Sequence, residues 1–227
     1  MRFLLAALLF IPFVAAAQLD QITNKEAIAG LKAALEKGSQ SAVAALGRND
    51  GFLRNPRVRI DLPDSLERAE KAMRRLGMGK YADELIVIMN RAAEAAVPEA
   101  RQLMVDSVKK MTVQDAKGIL TGGDTAGTAY FKRTTAKQLH DRFLPIVKKA
   151  TSKVGVAQKY NAYAEKGASL GVVNKDDANL DEYVTQKALD GLYLMVAEEE
   201  KKIRKDPVSA GRAIISKVFG TLQKQSM

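Results

Sequence analysis

The chain has 227 residues, and its 36 Lys and Arg residues outnumber 26 Asp and Glu residues to give a formal net charge of +10. It contains no cysteine and one histidine, which excludes disulfides, thiol nucleophiles and any zinc site that takes two histidines from this chain. The length suffices for a sizeable apolar core, and the positive balance favours either an anionic partner or a basic surface that serves solubility.

The N-terminal residues 1–17 have the layout of a cleaved secretory signal. Arg2 gives a positive start, residues 3–14 are mostly apolar, and the alanines at 15–17 form a small-residue cleavage site. This apolar run is too short for a transmembrane helix, and no later run is long and apolar enough to be one. Because no cysteine is available for lipid attachment, we expect a soluble exported protein, periplasmic in a Gram-negative cell, with one domain at 18–227.

Apolar residues recur at helical spacing along most of the mature chain. A first helix is expected to end at Gly47, a second to occupy 64–77 and a third to occupy 80–97. Residues 57–62 alternate polar and apolar side chains, but prolines bracket them and no partner strand is visible. We therefore expect a lone extended connector there and no sheet.

The second half of the chain continues this helical pattern. Thr112 and Asp115 form a capping signature that starts a short helix. Residues 135–154 form a strongly amphipathic helix, in which Pro145 predicts a kink or a break. Further helices are expected at 156–170, at 179–205 and at the C-terminal end. The fold prediction is all-α: a single globular domain of about eight to ten helices after a cleaved signal peptide.

Three glycines, Gly122, Gly123 and Gly127, lie between two of these helical runs. Gly122 and Gly127 have the separation found in a Walker phosphate loop, but Thr128 stands where that loop requires lysine and no strand precedes it. We interpret Gly122, Gly123 and Asp124 as a structural corner. One of the two glycines would take a left-handed helix-cap conformation, and Asp124 would cap the next helix.

Three arginines in the connector, Arg54, Arg57 and Arg59, are candidate anion-binding residues. A guanidinium group binds carboxylate or phosphate in a two-point geometry. In the alternative interpretation, these side chains tie the connector down by bonding helix carbonyls and the carboxylates of Asp50 or Asp61.

Basic residues are densest in the segment 132–159, which holds eight Lys and Arg residues and one acid. Arg142, Lys149 and Lys153 align beside the apolar face of the predicted helix. Together with Arg133, they could contact an anionic surface or rim the pocket of an acidic ligand. The alternative is an ordinary solvated helix face.

No pattern in the sequence indicates a catalytic centre, a metal site or a cofactor site. His140 lies at the edge of an apolar helix face, where a partly buried polar contact is the simpler interpretation. The acidic stretch at 174–181 fails the calcium-loop pattern, because Glu182 replaces the required glycine. The run EEEKK at 198–202 is interpreted as a solvated helix face with paired charges. We therefore predict no catalytic residue, no metal and no cofactor.

Four long stretches of the chain carry a family resemblance. They are LGRNDGFLRNPRVRIDLPDSL (46–66), MNRAAEAAVPEA (89–100), MTVQDAKGILTGGDTAGTAYF (111–131) and NLDEYVTQKALDGLYLMVAEEEKKIRKDP (179–207). The chain resembles a bacterial exported family catalogued as a domain of unknown function, number four-one-nine-seven. This resemblance implies a helical periplasmic or envelope protein and brings no established substrate, cofactor or catalytic residue.

The first functional hypothesis is a non-enzymatic envelope protein, a binding or interaction module with a basic surface. Its anionic partner would be an anionic lipid, a cell-wall polymer or an acidic protein, and nucleic acid is not expected in that compartment. The alternatives are a hydrolase-type enzyme with an unrecognised site and a chaperone-like structural helper with adaptable, methionine-rich surfaces. The enzyme would need one cleft that gathers polar groups from a set of five residues. They are Asp50, Asp124, Tyr130, Arg133 and His140.

Overall fold

A computed structural model describes residues 24–64, 70–71, 74–77, 79–152, 179–211 and 213–225. Over these residues the secondary structure is helical and includes no strand, so the all-α prediction is confirmed. A short 3-10 turn, Val97–Glu99, joins the second helix to the third. The helices in chain order are α1 (Asn24–Leu46), α2 (Gly79–Ala96), α3 (Ala100–Lys110), α4 (Val113–Thr121), α5 (Ala126–Thr151), α6 (Leu180–Lys205) and α7 (Ala213–Gln225).

The seven α-helices of the described segments are fewer than the eight to ten expected. The helix expected at 64–77 falls only partly on described residues. The one expected at 156–170 lies outside the described residues, as do Lys153 and the signal peptide predicted at 1–17. Helix α5 continues through Pro145 without ending, so the chain does not break at that proline.

Helices α5 and α6 lie at the centre of the molecule. α6 packs against α5 and α1, and α5 also packs against α2. Along α5, five buried residues follow one another at a spacing of four: Phe131, Thr135, Leu139, Phe143 and Val147. Such spacing forms one stripe along a helix, and its apolar members join a single core cluster. Each fully buried Phe or Leu stabilises the fold by about 1.5–3 kcal/mol, so this stripe fixes α5 and the polar residues on its exposed side.

The connector at 47–63 is held by buried polar side chains of α2. Asn90 Oδ1 accepts a hydrogen bond from the Ile60 N–H (2.9 Å), and Asn90 Nδ2 donates to the Ile60 carbonyl (2.7 Å). One helical turn later, Glu94 Oε1 accepts from the N–H groups of Phe52 (3.0 Å) and of the next residue (3.1 Å). Backbone hydrogen bonds form turns in this connector, so it is not extended as the sequence predicted, although it contains no strand. Because buried backbone groups require partners, α2 pins it at two points.

The connector also inserts Phe52 into the core against α6. This side chain is 0 % exposed, and it lies over Gly191. A Cβ atom at Gly191 would come within 2.8 Å of Phe52 Cε1 and 3.2 Å of Val58 Cβ. Glycine at this position therefore lets the connector approach the backbone of α6.

Helix α4 begins with the capping box that the sequence predicts. Thr112 Oγ1 accepts from the Asp115 N–H (3.1 Å), and Asp115 Oδ2 accepts from the Thr112 hydroxyl (2.7 Å) and N–H (3.2 Å). These two hydrogen bonds from Thr112, followed by the positive charge of Arg133, lower the pKa of Asp115. The carboxylate is therefore charged at neutral pH.

Replacing Thr112 with alanine is expected to destabilise the protein at pH 7 by about 1 kcal/mol, as the loss of an N-cap does. A carboxyl group with a lowered pKa contributes stability above its unfolded-state pKa and loses it as the pH falls through its folded-state pKa. Because the Thr112 hydroxyl is the largest cause of the lowered pKa of Asp115, the deficit should shrink below about pH 4. Urea denaturation at a series of pH values measures both effects.

The matched control for this experiment is Thr121→Ala, at the other end of α4. The Thr121 hydroxyl donates only to the Lys117 carbonyl of its own helix. Its removal should change the free energy of unfolding by less than about 0.5 kcal/mol. Equal effects of the two substitutions would contradict a stabilising role for the capping box.

Candidate functional site

Helix α5 exposes six basic residues and a single acid, Asp141, and these exposed charged residues make up its basic surface. The six basic residues of this surface, all exposed, are Lys132, Arg133, Lys137, Arg142, Lys148 and Lys149. Three of them form ion pairs: Arg133 with Asp115 (2.8 Å), Lys137 with Asp141 (2.9 Å) and Arg142 with Glu99 (3.6 Å).

The other three cations of the basic surface, Lys132, Lys148 and Lys149, have no ion-pair partner among the described residues. Lys132 lies in the second turn of α5, whereas Lys148 and Lys149 lie in its last turn. Within the described segments, positive charge that forms no ion pair is therefore present near both ends of the helix.

A polar cleft of about 490 Å³ lies beside this basic surface, where α3, α4 and α5 meet. Helix α3 contributes Asp106, Ser107 and Lys110, α4 contributes Asp115, and α5 contributes Tyr130, Arg133, Thr134, Thr135 and Gln138, with Leu103 completing the wall. The volume falls in the range of small-molecule sites. Of the residues predicted to bind anions, Arg133 lines this cleft.

Arg133 is held in place within the polar cleft by two neighbours. Its Nη2 atom donates to Asp115 Oδ1 (2.8 Å), and its Cζ atom lies 5.4 Å from the centre of the Tyr130 ring. The Tyr130 hydroxyl in turn donates to the Ser107 carbonyl (2.7 Å). An arginine that is oriented in this way keeps its remaining N–H groups available in a fixed direction.

The hydroxyl groups of Ser107, Thr134 and Thr135 in the cleft, and of Tyr193 beside Thr135, donate in a defined order. The Thr134 hydroxyl bonds the Tyr130 carbonyl (2.9 Å), so the Ser107 hydroxyl is the donor in its 2.7 Å contact with Thr134. Likewise, Thr135 donates to the Phe131 carbonyl (2.7 Å), so the hydroxyl of Tyr193 donates to Thr135 (2.9 Å). Burial raises the pKa of Tyr193, which keeps this hydroxyl protonated.

The glycine corner lies between α4 and α5 but differs in two details from the interpretation of the sequence. Gly122 is extended (φ −83°, ψ 175°), and the glycines with positive φ among the described residues are Gly77 and Gly211, so neither Gly122 nor Gly123 forms a left-handed cap. Gly122 is instead required for space, because a Cβ atom there would lie 2.7 Å from the Gly118 carbonyl oxygen.

The predicted cap at Asp124 is also wrong, because the first N–H groups of α5 are bound from elsewhere. Glu200 of α6 accepts hydrogen bonds from the N–H groups of Gly127 (2.9 Å) and Thr128 (2.8 Å) and from the Thr128 hydroxyl (2.8 Å). Arg204 donates to the same carboxylate (2.9 Å) and to the Ile119 carbonyl of α4 (3.0 Å). A carboxylate at a helix N-terminus is stabilised by the unpaired N–H groups there.

Glu200 is the main structural residue that sequence interpretation missed. The EEEKK run at 198–202 was expected to be solvated, yet Glu200 is only 6 % exposed. The available signal was its spacing, since Glu200 lies four positions after buried Val196 and three before buried Ile203. That spacing places it on the apolar stripe of α6.

Each of the three candidate arginines of the connector pairs with a carboxylate. Arg54 bonds Asp50 (3.1 Å), Arg59 bonds Asp61 (2.9 Å), and Arg57 bonds Glu198 of α6. These pairs agree with the interpretation in which the guanidiniums tie the connector down.

The residues that a hydrolase site would require are dispersed. Tyr130 and Arg133 share the polar cleft, whereas Asp50 of the connector pairs with Arg54 and with Arg91 of α2. His140 Nε2 lies 2.8 Å from Glu182 Oε2 at the α5–α6 contact, and Asp124 lies in the corner before α5. Over the described ranges, no group of three or more His, Asp or Glu side chains is arranged to hold a metal ion.

No helix in the described segments has both the length and the apolar character needed to cross a membrane. No curated protein and no solved structure matches the chain. The comparison with protein families matches residues 21–220, which cover most of the chain and include both the basic surface and the polar cleft. The chain thus belongs to the family described as Protein of unknown function (DUF4197).

Proposed function

We propose that this protein is an exported, non-enzymatic helical binding module whose basic surface on α5 binds an anionic polymer of the cell envelope. The observation that carries the proposal is the trio of exposed lysines, Lys132, Lys148 and Lys149, which have no carboxylate partner within the described part of the chain. Exposed charge of one sign attracts a partner of the opposite sign over distances set by ionic strength. Export is supported by the signal-like layout of residues 1–17.

The positions of these lysines favour an extended partner. Lys132 and Lys149 are separated by about 25 Å along the helix axis, at 1.5 Å per residue. A small anion could contact only one end of this surface. A polymer with repeated negative charges can contact both ends, and it gains affinity from each contact without a deep pocket.

The exposed apolar residues argue against insertion of α5 into a lipid bilayer. A helix that lies in a membrane interface needs an apolar face beside its basic residues. The large exposed hydrophobic residues of the described segments lie on α2, α4, α6 and two turns, and none lies on α5; they are Leu76, Tyr81, Val87, Val113, Leu194 and Val208. Binding of α5 to a lipid surface would therefore depend on charge alone, without insertion of apolar side chains.

Replacing Lys132, Lys148 and Lys149 together with glutamate is expected to weaken binding to isolated cell-wall fragments by at least about tenfold at low salt. Each exposed charge contributes on the order of 0.5–1 kcal/mol to such a contact, and about 1.4 kcal/mol corresponds to tenfold. Co-sedimentation at several salt concentrations measures the effect, and wild-type binding should fall as salt rises.

The control variant reverses three exposed lysines on other helices, Lys80, Lys117 and Lys201. It makes the same change in net charge and should bind within about twofold of wild type. Equal losses in the two variants, or unchanged sedimentation of the first, would overturn the proposal. Vesicles of phosphatidylglycerol form the second arm of the experiment, and tighter binding to them than to wall fragments would assign the partner to lipid instead.

A further inference from the structure

The polar cleft between α3, α4 and α5 holds two acids and two cations whose hydrogen bonds differ. Both oxygens of Asp115 are occupied, one by Thr112 and the other by Arg133. Asp106 Oδ1 accepts from Gln102 (2.9 Å) and lies 3.8 Å from Lys109 Nζ, outside the cleft. Asp115 therefore has both oxygens engaged by protein groups, whereas Asp106 keeps Oδ2 without a hydrogen bond among the described residues.

The two cations of the cleft, Lys110 and Arg133, keep most of their hydrogen-bond donors unused. Lys110 has no ion-pair partner among the described residues, and Arg133 uses only Nη2 for Asp115. A lysine ammonium has three donors and a guanidinium has five. Three N–H donors of Lys110 and four of Arg133 thus have no hydrogen-bond acceptor among the described residues, although the formal charges of the cleft, Lys110 and Arg133 against Asp106 and Asp115, cancel.

The remaining polar groups of the cleft suit a ligand that is larger than a bare anion. Gln138 lines the cleft and has no side-chain hydrogen bond within the described residues, so it can both donate and accept. The Ser107 hydroxyl donates to Thr134 and keeps lone pairs that can accept from a ligand. The cleft volume of about 490 Å³ also exceeds what a single carboxylate or phosphate group fills.

We infer that the cleft binds a small polar molecule that bears a carboxylate or phosphate group, with this oxyanion contacting Lys110 and Arg133. Asp115 and Tyr130 orient the Arg133 fork before the ligand arrives, which reduces the ordering cost of binding. The Gln138 amide contacts the polar body of the ligand. The inference rests on the proposed function for the anionic character of the partner, but it concerns a separate small-molecule site.

Isothermal titration of the purified protein with inorganic phosphate and, separately, with citrate at low salt tests the inference. Lys110→Gln should weaken the tighter-binding ion by about tenfold, the effect of losing one charge-assisted hydrogen bond. Lys109→Gln removes the adjacent exposed lysine, which does not line the cleft, and should change affinity by less than about twofold. Preference for phosphate or for citrate identifies which oxyanion the site takes.

A second variant separates geometry from charge. Arg133→Lys keeps the positive charge but cannot reproduce the planar fork, so it should weaken binding by about fivefold. The inference is overturned if neither ion binds, or if Lys109→Gln weakens binding as much as Lys110→Gln does. Wall-fragment sedimentation distinguishes the two proposals: ion binding without sedimentation would contradict the proposed function alone, and sedimentation without ion binding would contradict the cleft alone.

Discussion

Replacing Glu200 with alanine is expected to lower the free energy of unfolding by about 3–5 kcal/mol, the usual cost of removing one partner from a buried ion pair. The side chains of Glu200 and Arg204 are 5 % and 14 % exposed. The substitution would remove the carboxylate that Arg204 bonds, while its bond to the Ile119 carbonyl stays, and it would leave the first N–H groups of α5, at Gly127 and Thr128, without their acceptor. Urea denaturation followed by far-ultraviolet circular dichroism measures the change.

The matched control is Glu199→Ala in the same acidic run. Glu199 pairs with Lys202 three positions along the helix; the Lys202 side chain is 63 % exposed and that of Glu199 21 %. Such a pair contributes less than about 1 kcal/mol. A loss of less than 1 kcal/mol for Glu200→Ala would show that the α5 cap carries little of the stability.

A double variant distinguishes the ion pair from the cap. In Glu200→Ala with Arg204→Met, the partly buried guanidinium that has lost the Glu200 carboxylate is also removed, so part of the lost stability should return. The loss of unfolding free energy that remains in the double variant is the cost of leaving the first N–H groups of α5 without an acceptor. Full additivity of the two single losses would contradict the pairing of Glu200 with Arg204 as the source of the effect.

The α5 cap shows why the glycine corner was only partly predictable. Local sequence correctly predicted the α4 capping box, because Thr112 and Asp115 lie three positions apart and the motif acts within one turn. The α5 cap comes from Glu200, 73 positions away from Gly127. Asp124 was the nearest acid and therefore the natural candidate, but an acceptor so distant in sequence becomes a neighbour only when α6 packs against α5.

The same distinction applies to the candidate site. The basic character of α5 is a property of one segment and was predicted from it, as was the inclusion of Arg133. The cleft depends on how α3 and α4 pack against α5, so neither Lys110 nor Ser107 could be associated with Arg133 from spacing alone. Dense charge also does not reveal pairing: Arg142 contacts Glu99 (3.6 Å), which precedes α3, whereas Lys149 has no such partner among the described residues.

The roles of the buried polar residues on α2 also depend on tertiary packing and not on local sequence. Asn90 and Glu94 lie one turn apart and bond the backbone of the connector. In the sequence they interrupt an alanine-rich run whose apolar spacing already accounts for a helix. Their role becomes clear only when the connector's N–H and carbonyl groups are examined for partners.

Replacing Asn90 with leucine is accordingly expected to destabilise the protein by on the order of 4 kcal/mol, because one buried unbonded group costs about 1–3 kcal/mol and two are created. Asn90 is 0 % exposed, and leucine has a similar volume but cannot bond the N–H or the carbonyl of Ile60. The same substitution at exposed Asn49 in the connector should change stability by less than about 0.5 kcal/mol. Urea denaturation compares the two variants.

Hydrogen exchange tests the mechanism of the Asn90 effect separately from its size. In the wild type, the Ile60 amide hydrogen is bound by Asn90 Oδ1 (2.9 Å) inside the core, so it should exchange only through opening of the connector or global unfolding. In Asn90→Leu, that amide should exchange faster than the overall loss of stability accounts for, because the connector can open locally without disturbing the helices. If Ile60 retains its protection while global stability falls, the destabilisation arises from packing against leucine, and Asn90 does not pin the connector to α2.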